Sequence, residues 1–207
     1  MARDTHSIVK MSRREGYALH PKAHKALVKR AGVLPGQKQN TRRGRNASSQ
    51  YTLQLREKQK VKRLYGLLEK QFANLMKEAD RREGQSGEIL LQFLESRLDN
   101  AVYRAGYAPS RRAARQLVTH GHFKLNGVRV DIPSIRLKPG DEVTLRDHSA
   151  NTEYFKKLDD VSPAPSSVPA WLKANRKKVS FEVTNLPTRE DAEPDLNEQL
   201  IVEYYSR

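Results

Sequence analysis

Apolar side chains recur at i, i+3, i+4 and i+7 from Val61 through Leu64, Tyr65, Leu68, Phe72, Leu75, Met76 and Ala79, which predicts one long amphipathic helix starting near Gln54 and ended by Gly84. A second stripe, Leu90, Leu91, Leu94, Leu98, Ala101 and Val102, predicts a helix from about Gly87 to Gly106. Ser110 is suited to cap a short helix Arg111–Thr119, closed by Gly121, with Ala113, Ala114, Leu117 and Val118 on its apolar side. The period then changes to two. Phe123 and Leu125, then Val128 and Val130, alternate around Asn126–Gly127, a dipeptide that favours the positive φ values of a type I′ hairpin turn. Ile132, Ile135, Leu137, a turn over Lys138–Asp141 and a strand Glu142–Leu145 complete a small helix-helix-hairpin-strand unit.

The flanks are less regular. Residues 1–50 hold no sustained period beyond a short helix within Ala18–Ala31, and GVLPGQKQNTRRGRNASSQ reads as an extended basic loop. Asn151–Asp159 is a further candidate helix, and the prolines of SPAPSSVP prevent regular structure. Val179, Phe181 and Val183 alternate as a strand. Asp195 and Glu198 form a capping-box-like pair before Leu196, Leu200, Ile201 and Tyr204, predicting a helix Asp195–Tyr205.

Charge changes the picture. Residues 1–63 hold 17 Lys or Arg against Asp4, Glu15 and Glu57, a local charge of +14 in a chain of net charge +15. Such an excess adds self-repulsion unless a polyanion neutralises it. Arg56, Lys58, Lys60, Lys62 and Arg63 crowd the start of the long helix, where cations oppose the macrodipole, so an external anion is expected there. Residues 97–146 are also basic, with Arg104, Arg111, Arg112, Arg115, Lys124 and Arg129 near the hairpin, a spread of donors suited to the phosphates of a folded RNA. Pro187–Arg207 carries six acids against two bases and suits a protein neighbour instead.

The chain is 37% hydrophobic, below the roughly 45–50% usual for globular domains, so much of its surface is expected to face a partner. No apolar run reaches the roughly 18–20 residues of a membrane span and the N-terminus has no apolar signal core, so the expectation is a soluble, cytosolic protein that binds no membrane. The absence of cysteine excludes disulfides, thiol catalysis and cysteine zinc sites, and no metal, cofactor or small-molecule substrate is expected. His20 and His24 have the spacing of a metal pair, yet no carboxylate lies near them in sequence to complete a site. Arg97, Leu98 and Asp99 form an RLD tripeptide similar to one used by pseudouridine synthases. Inside an amphipathic helix, Asp99 is better suited to pair with a nearby arginine than to catalyse.

The block RLDNAVYRAGYAPSRRAARQLVTHGHFKLNGVRVDIPSIRLKPGDEV, Arg97 to Val143, resembles the small RNA-binding domain named after the fourth protein of the small ribosomal subunit. MSRREG at 11–16, PGQ at 35–37, LREKQKVKRLYGLLEKQF at 55–72 and LNEQLIVEYYS at 196–206 are similar to bacterial members of that ribosomal family itself, in family order. The resemblance implies a non-enzymatic, mixed α+β protein: a mainly helical first domain with a small helix-helix-β-hairpin RNA-binding domain inserted. Residues 1–50 would be a basic extension, 51–96 the helical domain completed by 165–207, and 97–160 the inserted domain. It further implies a cytoplasmic protein of the small subunit that binds the 5′ domain of small-subunit rRNA at a multi-helix junction early in assembly.

By the same resemblance, the fifth small-subunit protein is a neighbour that influences decoding accuracy, and basic side chains meet mRNA where it enters the subunit. Arg42, Arg43 and Arg45 match that basic loop, and Arg3, Arg13 and Arg14 join the RNA-facing set. Leu200, Glu203, Tyr204 and Tyr205 are the expected protein-interface residues. Relatives with an N-terminal cysteine zinc cluster differ from this chain, whose first 45 residues must be organised by RNA and packing. Two readings from other classes remain open: an RNA-modifying enzyme of the pseudouridine synthase type, and a free RNA chaperone built on the same domain.

Overall fold

The computed structural model describes residues 4–30, 33–36, 49–165 and 167–206. The chain divides into two compact units, residues 1–90 with 195–207, and residues 91–194.

The first unit is helical: α1 (Ile8–Glu15), a 3₁₀ turn Pro21–Ala23, α2 (His24–Lys29), α3 (Gln50–Leu64), α4 (Glu69–Ala79), the start of α5 (Ser86–Glu95) and, after the second unit's elements, the C-terminal helix Glu198–Tyr205. The single long helix expected from Gln54 is two helices. Tyr65 caps α3, the Gly66 N–H returns to the Arg63 carbonyl at 3.2 Å and the Leu67 N–H to the Lys62 carbonyl at 3.0 Å. This paired closure needs the left-handed backbone of Gly66 (φ 67°), and the Gln71 side chain then accepts from the Leu68 N–H to open α4. The apolar register runs across the break because Tyr65, Leu67, Phe72 and Met76 are all buried. The buried stripe of α3 also holds Gln54 and Lys58, which hydropathy assigns to the surface. The last helix begins at Glu198 rather than Asp195, because the Asn197 side chain accepts from the Leu200 N–H and caps it there.

The second unit contains the end of α5, α6 (Leu98–Arg104), α7 (Arg111–Thr119), β1 (Phe123–Leu125), β2 (Val128–Val130), β3 (Glu142–Leu145), the single turns α8 (Asp147–Ala150), α9 (Glu153–Lys156) and α10 (Leu158–Val161), and β4 (Leu172–Asn175) with β5 (Ser180–Val183). The C-terminal helix is therefore α11 (Glu198–Tyr205). The antiparallel sheet has the order β2-β1-β3-β5-β4. Asn126 (φ 49°) and Gly127 (φ 82°) make the expected hairpin turn.

The expected helix from Gly87 to Gly106 is interrupted at Ser96–Arg97. There the chain extends to pair with the segment before β3: Leu137 N–H to Ser96 O at 2.9 Å, and Leu98 N–H to Ile135 O at 2.8 Å. Residues 165–194, which sequence assigned to the helical domain, lie in the second unit, because β5 pairs with β3 in the register Val143↔Phe181 and brings the β4–β5 hairpin with it. One core joins Leu98, Val102, Tyr107, Leu117, Val118, Phe123, Val143, Phe155, Trp171, Phe181 and Val183. The expected helix Asn151–Asp159 is two of the single turns, and among the described residues of 162–169 there is no regular structure.

Candidate nucleic-acid interface

Helix α3 begins at Gln50, capped by Ser49, so the cations expected at a helix start lie in its middle and last turn, where Lys62 and Arg63 suit the macrodipole, and they are paired within the fold. Arg56 and Arg63 both reach Glu15 of α1, whose side chain is fully buried, with Arg56 Nη1 3.2 Å from Oε1. Burial pushes the Glu15 carboxyl above its usual pKa, although both guanidiniums and Arg14 pull it down. Lys58 is buried, donates to Glu69 at 2.6 Å and lies 4.4 Å from the centre of the Tyr204 ring. Lys62 donates to the other oxygen of Glu69 at 2.8 Å, and Lys60 reaches Glu57 and the Asp195 carbonyl, each at 2.8 Å. Burial pushes Glu69 upward, but hydrogen bonds from Lys58, Lys62 and Tyr205 outweigh it and hold its pKa at about 2. The expectation that these cations sit at a helix start is thus corrected, and within the fold they pair with Glu15, Glu57 and Glu69. Sequence could not show the Glu15 pairs, because Glu15 lies 41 and 48 residues from Arg56 and Arg63, whereas Glu69 is only 7 and 11 residues from Lys62 and Lys58.

Arg13 donates to the Val33 carbonyl at 3.0 Å, while Arg14 is exposed. The candidates Arg3, Arg42, Arg43 and Arg45 lie outside the described residues. The four interface candidates on α11 serve the first unit itself. Glu203 accepts from Gln54 at 2.8 Å, Tyr204 lies 5.9 Å from the Tyr51 ring, the Tyr205 hydroxyl donates to Glu69 at 3.0 Å, and Leu200 is half-buried beside the fully buried Ile201.

In the second unit, Ser110 accepts from the Ala113 N–H and starts α7 as expected, and Gly121 and His122 close it on the Val118 and Leu117 carbonyls. The inner arginines of α7 rest on acids. Arg115 Nη1 donates to Asp99 at 3.1 Å, and Arg97 clasps the same carboxylate with Nε at 3.0 Å and Nη2 at 2.8 Å. Asp99 therefore acts as the structural partner expected for it. Arg111 donates to Asn100 at 2.8 Å and Glu193 at 3.0 Å while covering the Tyr103 ring, and Arg104 forks onto the buried Glu95 at 2.8 and 3.0 Å. Arg112 and Arg129 are exposed, the Arg129 guanidinium lying beside Gly121. Lys124 meets Asp147 at 2.8 Å on the surface, a screened pair that a phosphate can replace. At the hairpin base, His122 is held to Ser149 at 3.0 Å and its pKa is lowered by burial, then by His120 and Arg146.

Helix α7 is thus held by ion pairs from Arg111 and Arg115, the hairpin is held by the pairing of β1 with β3, and Arg112, Lys124 and Arg129 lie at the surface of the two. Lys22, Lys25, Lys29 and Arg30 are also exposed around α2. The stretch Gly16–Arg56 around them contains no Asp or Glu. Among the described residues there is no group of three His or acidic side chains able to hold a metal, and no helix long and apolar enough to cross a membrane.

Comparison with known proteins identifies the family. Residues 96–143 match the S4 domain family, and residues 3–95 match the family described as ribosomal protein S4/S9 N-terminal domain. The small ribosomal subunit protein uS4 of Chlorobaculum tepidum is 50% identical over 211 residues, covering all of both chains. Those of Chloroherpeton thalassium and Clostridioides difficile are 46% and 48% identical, again over the full length of both. With both family matches in order and full-length identity near one half, the chain belongs to the uS4 family of small ribosomal subunit proteins.

Proposed function

We propose that this chain is a structural, non-enzymatic component of the small ribosomal subunit that binds the 5′ domain of the small-subunit rRNA at a multi-helix junction and helps nucleate assembly. The observation that carries this reading is the preorganised α7–hairpin surface. Its inner arginines are fixed on Asp99, Glu95 and Glu193, so Arg112, Lys124 and Arg129 are positioned before any RNA arrives and little ordering entropy is lost on binding. A surface of this kind reads the shape and phosphates of folded RNA rather than base sequence.

Arg42, Arg43 and Arg45 are assigned to mRNA where it enters the subunit. The fifth small-subunit protein is assigned to the outward side of α11, which includes Gln199, since Glu203, Tyr204 and Tyr205 are engaged with α3 and α4. Against the RNA-modifying alternative stands Asp99 itself: a buried carboxylate already accepting from two arginines is not placed to act on a base. Gradient sedimentation of a cell lysate tests the proposal. Nearly all of the protein should co-migrate with small subunits, and a predominantly free pool would favour the chaperone reading. Turnover of rRNA fragments to modified nucleotides would overturn the non-enzymatic assignment.

A further inference from the structure

The tip of the β1–β2 hairpin holds a reactive pair of residues. Asn126 is the only asparagine of the chain that glycine follows. Both residues are exposed, both hold a left-handed backbone (φ 49° and 82°), and a Cβ built on Gly127 would meet no atom within 4 Å. No side chain at Gly127 obstructs its amide nitrogen, which lies beside a primary amide, the arrangement from which asparagine loses ammonia. The Asn126 side chain, however, is pinned at both ends. Its Oδ1 accepts from the Glu142 N–H at 2.9 Å, and its Nδ2 donates to Asp141 Oδ1 at 2.9 Å. Asp141 is itself fixed, because its other oxygen accepts from the Lys138 N–H at 2.7 Å. With the Asn126 N–H on the Glu142 carbonyl at 2.8 Å, the side-chain amide extends the β1–β3 ladder one step past the end of β1.

We propose that Asn126–Gly127 is a self-modification site, a deamidating dipeptide that Asp141 and Glu142 hold unreactive while the second unit is folded. In the reaction the Gly127 nitrogen gives its proton to solvent base and bonds to Asn126 Cγ, the Cγ–Nδ2 bond breaks, and the nitrogen leaves as ammonia with a proton from water. Water then opens the cyclic imide at either carbonyl, giving aspartate or isoaspartate, and no oxidant or reductant takes part. Attack needs Cγ to swing onto the Gly127 nitrogen, which breaks both side-chain hydrogen bonds, so the fold suppresses the step and opening releases it. The products cannot resume the native contacts. Aspartate sets a second carboxylate against Asp141 where the amide donated. Isoaspartate lengthens the main chain by one atom inside a two-residue turn, whose Leu125↔Val128 register has no room for it. The hairpin tip thereby keeps a permanent record of time spent open.

The test incubates the full chain at mildly alkaline pH, folded and in guanidinium chloride, and follows the Asn126 peptide by mass and by methylation with an isoaspartyl methyltransferase. Wild type should be modified slowly when folded and much faster when unfolded, with Asn126 ahead of every other asparagine. Asp141→Ala, its fold checked by Trp171 fluorescence, should be modified about tenfold faster than wild type in buffer, the factor that one lost charge-assisted hydrogen bond corresponds to, and equally fast in denaturant. Asp141→Asn keeps an acceptor for the Asn126 amide and should recover most of the protection. If Asp141→Ala does not fold, the wild-type rates in the two states still decide. Equal wild-type rates folded and unfolded, or no modification of Asn126 in either state, overturn the proposal. A folded Asp141→Ala with the wild-type rate, or an Asp141→Asn no slower than Asp141→Ala, overturns the part given to Asp141.

Discussion

Replacing Asp99 by Asn should destabilise the second unit by about 3 to 5 kcal/mol, the usual cost of breaking a buried ion pair from one side. The carboxylate accepts four hydrogen bonds: two from Arg97, one from Arg115 and one from the Asn100 N–H. The Arg97 and Asp99 side chains are each 6% exposed, so Arg97 cannot recover its lost bonds from water. An asparagine of nearly equal volume keeps one acceptor but turns an NH₂ donor toward a guanidinium. The four charge-assisted bonds, at about 1.5 to 3 kcal/mol each, set an upper bound that partial retention and movement of Arg115 toward solvent reduce. The chain has one tryptophan, and Trp171 is buried in the core of the same unit, so its fluorescence reports unfolding of that unit in urea. With a slope near 2 kcal/mol per molar, the midpoint should fall by roughly 2 M. The double change Arg97→Met/Asp99→Leu removes both charges and should regain most of the loss. A midpoint for Asp99→Asn within about 0.25 M of wild type, or about 0.5 kcal/mol at that slope, would refute the structural role given to Asp99.

Three further outcomes are expected. Ile201→Ala should cost about 2 to 5 kcal/mol by far-UV circular dichroism in urea, because Ile201 is fully buried, and Leu200→Ala should cost less because it is half-buried. The folded pKa of Glu69, about 2, lies below the ordinary 4.5, so its contribution is present above pH 4.5 and is lost as pH falls toward 2; the difference in thermal midpoint between wild type and Glu69→Gln should shrink over that interval. Gly66→Ala should cost about 1 to 2 kcal/mol, since a Cβ there meets no atom and only the left-handed backbone is strained.

What sequence could show was local. Ser110, the Asn126–Gly127 turn and the alternation of β1 and β2 each depend on neighbours within a few residues, and each lies where the pattern placed it. The break at Gly66 was written in the sequence as a Tyr-Gly pair, but a continuous apolar register on both sides concealed it. Long-range partners were not legible. Arg56 and Arg63 are paired through Glu15, and β5 joins the sheet of the second unit through β3, because of contacts that no local period encodes. Counting charge identified a polyanion-binding chain, but only the fold distinguishes cations used in its own ion pairs from those left for a partner.

Lysine reactivity toward an acylating reagent, measured residue by residue on the free chain and on the chain assembled with small-subunit rRNA, tests that distinction most directly. Lys22, Lys25 and Lys29 should react readily when free and become protected in the complex, while Lys58, buried between Glu69 and Tyr204, should be slow in both. Equal reactivity of the three α2-region lysines in both states, or RNA-dependent protection of a Lys58 that reacts freely in the isolated chain, would contradict the account.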